Sequence, residues 1–233
     1  ELVGRWPYGM CAGSAVDVTR NAALIGNGYT LQVLDISNPS MLSKIGEIEL
    51  DGHVQDIEIS GNYAYVVTHT YFKVIDISDL NSPSEVGSDY HEGADFQSVA
   101  LSSGYAFVAA GFGGLDIYDV SDPNNPNSLG SYHQDVDEIH DVVIWGDYAI
   151  CDCVYSWLDT DSAQWIYEEQ VQVIDVSDPS APFLTGFYQT EAGYNLQGID
   201  VSDDGYVCTC QYNETDETSK IVVIDVATDP ASP

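Results

Sequence analysis

The stretch that decides the fold is the seven-residue phrase LQVLDIS at Leu31–Ser37, because the chain repeats it four more times. The other copies are FKVIDIS from Phe72, LDIYDVS from Leu115, VQVIDVS from Val171 and IVVIDVA from Ile221. Successive copies start 41, 43, 56 and 50 residues apart. A repeat period in this range is typical of an array of four-stranded units, as in a β-propeller.

The second copy shows most clearly what one repeat contains. Val54–Ser60 alternates apolar and polar residues, which is the period of a half-buried strand. A Gly-Asn pair then predicts a tight turn, and the aromatic and β-branched run Tyr63–Thr68 predicts a second strand. Phe72–Ile77 and Glu85–Tyr90 follow as third and fourth strands, separated by the turn-forming sequence SDLNSP. No stretch has a useful helical pattern, so we predict an all-β, five-bladed β-propeller of four-stranded blades.

The two ends of the chain fit each other. The chain stops in a turn sequence that should precede a fourth strand, and residues 1–6 (ELVGRW) look like that strand when compared with FLTGFY from Phe183. We therefore expect the N-terminal strand to complete the last blade and close the ring, which removes exposed sheet edges. The predicted single domain is 1–233, with repeats near 7–50, 51–90, 91–132, 133–188 and 189–233 plus 1–6. Excision from a longer array is the alternative interpretation.

The charge balance is extreme, with 38 acidic residues against five basic ones and a net charge of −33. Such a chain repels phosphates, so nucleic acid is not an expected partner. The acidity suits solubility, and it also suits a saline extracellular setting in which salt screens the repulsion. No apolar run is long enough to cross a membrane, so we expect no membrane insertion. We expect no cofactor: calcium is a further use for the acidity, but no run matches a calcium-binding loop.

The combination of VQVIDVSDPSAP from Val171 with SGNYAYVV from Ser60 resembles the LVIVD-repeat family. The resemblance covers essentially the whole chain. It implies a β-propeller from a secreted or cell-surface bacterial or archaeal protein, often one module of a larger chain. It brings no set of catalytic residues. The chain departs from the pattern at Asn21-Ala22-Ala23, at Leu80 and in the long insertion of the fourth copy.

Polar residues recur where the innermost strand of each predicted blade begins, near the mouth of a central channel. The alignment of these starts is Val16-Asp17, Gln55-Asp56, Gln97-Ser98, His140-Asp141 and Gln197-Gly198. One interpretation is a polar funnel that binds a small molecule, a metal ion or a peptide end; its candidates are His53, Gln55, Gln97, His140 and Gln197. The other is hydrogen bonding to backbone and channel water. Repetition favours the structural interpretation for the aspartates, whereas His140 breaks the glutamine pattern.

The most individual segment is the insertion at residues 154–170, VYSWLDTDSAQWIYEEQ. Its spacing predicts a hairpin extension with alternating aromatics, among them Tyr155, Trp157 and Trp165. Such side chains anchor protein partners and stack on sugar rings, so the hairpin is a candidate ligand-binding surface. The alternative is that the aromatics pack against their own hairpin or cover a neighbouring loop.

Four of the five cysteines fall in the second strands of consecutive blades, as Cys151/Cys153 and Cys208/Cys210. When the two strands are aligned, the two pairs fall at alternating positions and so on opposite faces of their sheets. One pair could therefore face the other across a blade interface and form disulfides. A four-thiolate metal site and buried free thiols are the alternatives. Cys11 would stay free or pair outside the domain.

The sequence therefore predicts a non-enzymatic extracellular or cell-surface binding or scaffold module, whose partner is a protein or a glycan and which could assemble with other chains or domains. A glycoside hydrolase is the rival hypothesis, and Asp56 and Asp141 are the only carboxylate pair that we would test for it. A purely structural subunit of a polymer is the third. The aspartates of the repeated phrase are expected to form turns rather than a site.

Overall fold

The computed structural model describes residues 11–133, 137–159, 164–213 and 215–233. The elements named within these residues are nineteen β-strands in five antiparallel sheets. In the same residues, no helix is long and apolar enough to span a bilayer. The all-β prediction is confirmed. The predicted strand at residues 1–6 lies outside the described residues.

The first sheet has the order β1-β2-β3-β4, with strands Cys11–Asp17, Ala22–Asn27, Thr30–Asp35 and Ser43–Glu49. The second has the order β5-β6-β7-β8, with strands Val54–Ser60, Tyr63–Thr68, Tyr71–Asp76 and Ser84–Tyr90. The third joins β9 to β12 in sequence order, with strands Ser98–Ser102, Tyr105–Ala109, Leu115–Asp119 and Asn127–Tyr132. Each sheet is thus a simple meander of neighbouring strands.

The fourth sheet has the order β13-β14-β15-β16, with strands Glu138–Trp145, Tyr148–Asp159, Gln164–Asp175 and Phe183–Gln189. The fifth has three strands in the described residues, β17-β18-β19, at Tyr194–Val201, Tyr206–Asn213 and Thr218–Asp225. The predicted insertion is a hairpin extension, since β14 and β15 stay paired from Tyr148↔Asp175 to Asp159↔Gln164. The predicted strands of the second repeat agree with β5 to β8 to within one residue at each end.

The chain divides into two compact units. One comprises Glu1–Tyr105 with Asp119–Asn127, and the other comprises Ala106–Tyr118 with Ser128–Pro233. In the first unit, the apolar faces of sheets one and two share a core that includes Leu24, Val33 and Ile57. In the second unit, sheets four and five share a core that includes Ile150, Val173 and Val207. Burial of these apolar side chains is the main stabilising contribution to each unit.

The aspartates of the repeated phrase form turns, as the sequence predicted. Each one accepts a hydrogen bond from a backbone amide two or three residues ahead, at 2.8 to 3.0 Å. The donor–acceptor pairs are Ser37–Asp35, Ser78–Asp76, Ser121–Asp119, Ser177–Asp175 and Thr228–Asp225. A short acceptor at the end of a strand therefore closes each third strand into its turn.

A glycine in the fourth strand of each four-stranded sheet lies directly against the backbone of the following sheet's outer turn. A Cβ atom built on these glycines would fall 2.1 to 2.7 Å from a backbone oxygen. The pairs are Gly46 with Leu80 O, Gly87 with Pro123 O, Gly130 with Pro179 O and Gly186 with Pro230 O. Only a residue without a side chain fits there, so these glycines form a repeated joint between consecutive sheets.

The second residue of the repeated phrase is a buried polar residue in four copies. These residues are Gln32, Lys73, Asp116 and Gln172. Lys73 donates to Glu85 at 2.8 Å, and Gln172 accepts from the hydroxyl of Tyr132 at 3.2 Å. Buried polar groups need such partners, because an unpaired one costs about 1–3 kcal/mol. The polar partners of Lys73 and Gln172 therefore differ, although the two residues occupy the same position of the repeated phrase.

Candidate functional site

The aspartates at the starts of the first strands hold neighbouring strands together. Asp56 Oδ2 accepts hydrogen bonds from Val99 N at 3.0 Å and from Ser98 Oγ at 3.3 Å. Asp141 Oδ2 accepts from Ile199 N at 3.3 Å. Each carboxylate thus binds the backbone of the first strand in the next sheet, which supports their structural interpretation.

The predicted alignment of Val16-Asp17 with these positions is wrong. The register of β1 with β2 places its bulge between Ala12 and Ser14, where β5 has its bulge around Gln55. Asp17 lies instead at the end of β1, where it accepts from Arg20 N at 2.9 Å and pairs with the Arg20 guanidinium. The hydrogen bond from the Arg20 amide is the main reason that the pKa of Asp17 is lowered. The longer turn before Ala22 caused the error.

In the first unit, four polar side chains form a continuous hydrogen-bonded chain. His69 Nδ1 lies 2.8 Å from Asp95 Oδ1, and Gln55 Nε2 lies 3.0 Å from His69 Nε2. Gln97 Nε2 donates to Asp95 Oδ2 at 3.3 Å. The chain therefore brings together two predicted candidates, Gln55 and Gln97, with a histidine that the carboxylate of Asp95 orients.

A surface groove of about 720 Å³ opens beside this chain. Its lining residues are Ala12, Asn27, Gly28, His53, Val54, Gln55 and His69. The ring of His53, a predicted candidate, lies 4.2 Å from the ring of Tyr29, which is 52% exposed. The groove thus combines an aromatic edge with amide and imidazole groups, a combination that can stack on a flat apolar face and bind hydroxyls.

The sequence analysis missed His69. The residue lies between β6 and β7, in a loop that shares one end of its sheet with the loop entering β5. The available signal was the histidine in the sequence THTY from Thr68. The funnel candidates predicted from the sequence lie only at the starts of the first strands and in the loops entering them, whereas His69 follows a second strand.

In the second unit, the predicted candidates are more dispersed. His140 Nε2 pairs with Glu138 Oε2 at 2.9 Å, and both side chains are about one third exposed. Gln197 is exposed at the bulge of β17. On the hairpin, Tyr155 is half-buried and Tyr167 is 69% exposed. The Trp157 and Trp165 side chains lie outside the part of the chain that the structure describes.

Two acidic side chains beneath the hairpin are unusual in their burial. Burial, and then the charge of Glu169, raises the pKa of Asp152 to about 7. Burial also raises the pKa of Glu169, which accepts a hydrogen bond from Leu196 N. Across the described residues, no group of three or more His, Cys, Asp or Glu side chains has a geometry that could hold a metal ion.

The predicted disulfides are not formed, because Cys151, Cys153, Cys208 and Cys210 are all free thiols. The first two are buried and the last two are exposed. The face of the fourth sheet that meets the fifth carries Asp152, whereas the fifth sheet presents Thr209. Alternation along each strand therefore directs the two cysteine pairs away from each other. The side chain of Cys11 lies outside the described residues.

Consecutive antiparallel sheets with repeated joints define an all-β, propeller-like repeat protein. The LVIVD repeat model matches residues 12–49, 51–89, 93–134 and 168–190. The chain belongs to the LVIVD-repeat family, as its repeated phrase indicated. The sequence matches no curated protein.

Solved structures share the fold at low identity. The WD40 domain of Neurospora crassa Pan2 is 15% identical with a TM-score of 0.68, over 94% of this chain and 64% of that domain. A functionally unknown protein from Desulfotomaculum acetoxidans is 15% identical with a TM-score of 0.65, over 91% of this chain and 68% of that one. The computationally designed Ika4 protein is 14% identical with a TM-score of 0.54, over 72% of this chain and 96% of that one. At such identities the similarity concerns the fold alone.

Proposed function

We propose that this chain is a non-enzymatic extracellular or cell-surface binding module that recognises an uncharged glycan through the groove of the first unit. The observation that carries the proposal is the hydrogen-bonded chain of Gln55, His69 and Asp95 beside the Tyr29–His53 ring pair. Sugar rings present apolar C–H faces to aromatic rings and hydroxyls to oriented polar groups. The net charge of −33 disfavours polyanionic ligands.

The long hairpin is a second surface that supports recognition. Tyr167 is exposed, and a groove of about 210 Å³ runs along the hairpin base between Val154 and Asn195. Exposed tyrosine is a common anchor for sugars and for protein chains. We assign it to a protein or glycan partner, consistent with a module that works within a larger protein or an assembly.

We further propose that the five sheets are the blades of a closed five-bladed propeller, with residues 1–6 adding the fourth strand to the fifth sheet. The support is that the fifth sheet has three described strands where the other four sheets have four. Gly4 also occupies the sequence position of the joint glycines. Deletion of residues 1–6 should lower the melting temperature by several degrees; an unchanged melting temperature would contradict the closure.

The glycan proposal is tested by screening the purified chain against neutral saccharides at low and high salt. The affinity of any saccharide that binds is then measured by calorimetry for the parent chain and for the Tyr29→Ala and His69→Ala variants. Both variants should lose at least tenfold in affinity, since His69 lines the groove and Tyr29 packs against the ring of His53, which also lines it. Tyr206→Ala is the matched control, because Tyr206 is a similarly exposed tyrosine on the fifth sheet.

Two outcomes would change the assignment. If no saccharide binds while the fold stays intact, the chain is better explained as a scaffold whose partner is another protein. If saccharides bind and are cleaved, the hydrolase hypothesis returns, although Asp56 and Asp141 are already bonded to backbone amides. Affinity that survives both groove substitutions would move the site to the hairpin.

A further inference from the structure

The contact between the fourth and fifth sheets changes character along its length. At one end it is an apolar core of Ile150, Val171, Val173, Leu196, Val207, Ile224 and Val226. Asp152 pairs in register with both Asp141 and Val171, and Glu169 lies two residues before Val171 on β15. Because alternate residues share a face, these three carboxylates continue the face that carries the core.

The fifth sheet carries polar residues at the same end of this contact. Gln211 pairs in register with Leu196, and Thr209 pairs with Ile199, on the same face as Val207. Glu169 accepts from Leu196 N, and Asp141 accepts from Ile199 N. The carboxylates of the fourth sheet therefore hold β17 at Leu196 and Ile199, the register partners of Gln211 and Thr209.

Polar atoms without partners lie within this contact. Asp152 is 4% exposed, and its Oδ1 has no hydrogen-bond partner. Gln211 is fully buried, and neither its Oε1 nor its Nε2 has a partner. Native proteins rarely leave such groups unsatisfied without an ion or water between them. Gln211 is uncharged and on another strand, so it is independent of the acidic cluster.

The charge around these atoms favours a cation. Asp141, Asp152 and Glu169 face one histidine, His140, which already pairs with Glu138. Burial of ionised carboxylates without a counter-charge is costly. The charge of His140 acts on both Asp152 and Glu169, so the cluster is electrostatically connected.

We propose that the contact between the fourth and fifth sheets binds a divalent cation of the calcium type, held by Asp152, Glu169 and Gln211. The ligands are oxygens: Asp152 Oδ1, the Glu169 oxygen that does not bind Leu196 N, and Gln211 Oε1, with water completing the shell. Oxygen-only sets of carboxylate and amide groups are those that Ca²⁺ prefers. Two carboxylates predict a weak site, with a dissociation constant of about 10⁻⁴–10⁻³ M, as in extracellular modules.

The site would connect calcium to the candidate binding surface. Asp152 and Glu169 lie on β14 and β15 where the long hairpin leaves the sheet, and Leu196 lies on β17. A bound cation would fix the base of the hairpin against the fifth sheet. The expected consequence is a calcium-dependent order of the hairpin, independent of the groove in the first unit.

The test measures the melting temperature of the EDTA-treated chain while Ca²⁺ rises to about 10 mM at constant ionic strength. For a dissociation constant near 1 mM, the melting temperature should rise by about 3–6 °C. Asp152→Asn and Gln211→Leu should each abolish most of the rise. Glu168→Gln, which neutralises the adjacent acid on the other face of β15, is the matched control and should keep it.

A parallel measurement with Mg²⁺ at the same concentrations separates calcium binding from general screening of the acidic surface. Both cations screen charge, but Mg²⁺ retains its water and should not occupy such a site. A rise that Mg²⁺ reproduces, or that survives both Asp152→Asn and Gln211→Leu, would overturn the proposal. So would the absence of any calcium effect. If one variant fails to fold, the other still decides, because the readout is the calcium dependence rather than the stability itself.

Discussion

Replacement of a joint glycine by alanine should loosen one sheet from the next. At Gly87 the new Cβ would lie 2.3 Å from Pro123 O and 2.8 Å from Pro126 Cδ. Contacts this short force the backbone of the outer turn to move, and overpacking of this kind typically costs about 1–3 kcal/mol. In a domain of this size each kcal/mol lowers the melting temperature by about 2–4 °C. Gly87→Ala should therefore melt about 2–12 °C below the parent chain.

The four joints also predict an order of effects. The shortest contacts are at Gly46, 2.1 Å, and Gly87, 2.3 Å; those at Gly186 and Gly130 are 2.6 and 2.7 Å. Alanine at the first two positions should cost more than alanine at the last two. Gly61→Asn is the control, since nothing lies within 4 Å of that Cβ and asparagine tolerates its φ of 59°.

The assay is urea unfolding followed by circular dichroism, with the slope of the transition compared among variants. A change in midpoint at constant slope measures stability. Alanine variants at Gly46 and Gly87 that unfold within about 0.5 kcal/mol of the parent chain would refute the reasoning. That result would mean that the outer turns can move away from the fourth strands at little cost.

Three further predictions concern other parts of the chain. Asp56→Ala leaves Val99 N without its acceptor and should lower the free energy of unfolding in urea by about 1–3 kcal/mol, whereas Ser98→Ala should lower it less. Equal stability of the two variants would contradict the role of Asp56 in holding β9. In a Cys11→Ser background, iodoacetamide should label Cys208 and Cys210 in the native chain but not Cys151 and Cys153, as mass spectrometry would show. Burial raises the pKa of Cys153, so this thiol stays protonated and unreactive. Rapid labelling of all four cysteines would contradict the burial of Cys151 and Cys153. Hydrogen bonds from the Ser78 hydroxyl and amide lower the pKa of Asp76, and the same arrangement recurs at Asp35 and Asp119. Their contribution is present above the unfolded pKa near 4 and is lost as the pH falls through the lower folded values. Melting temperatures between pH 6 and 2.5 should therefore fall less steeply in the triple Asp→Asn variant; parallel curves would refute this.

The repeats made most of the fold predictable. Strands β5 to β8, the Gly61 turn and the turn-forming aspartates follow from local patterns, because period-two alternation and turn chemistry act within a few residues. The first repeat was misaligned because four residues, 18–21, separate β1 from β2, whereas two separate β5 from β6.

The sites were less predictable, because they depend on which strands become neighbours. His69 meets Gln55 across its own sheet and meets Asp95 from the loop that enters the next sheet. Asp152 sits between two buried cysteines, and Gln211 sits in a strand that alternates buried and exposed residues. Nothing local indicates that these two polar groups are buried in the same contact. Burial of a polar residue is a tertiary property, and the sequence pattern alone does not reveal it.

The polar residue at the second position of the repeated phrase has a consequence for folding. An array of similar repeats risks pairing a sheet with the wrong neighbour, which is a common failure of repeat proteins. Read along the chain, that position is Gln, Lys, Asp, Gln and Val, so no two consecutive repeats bury the same group. A sheet that took its neighbour's place would bury a charge or an amide without its partner. We therefore expect these residues to oppose the pairing of a sheet with the wrong neighbour.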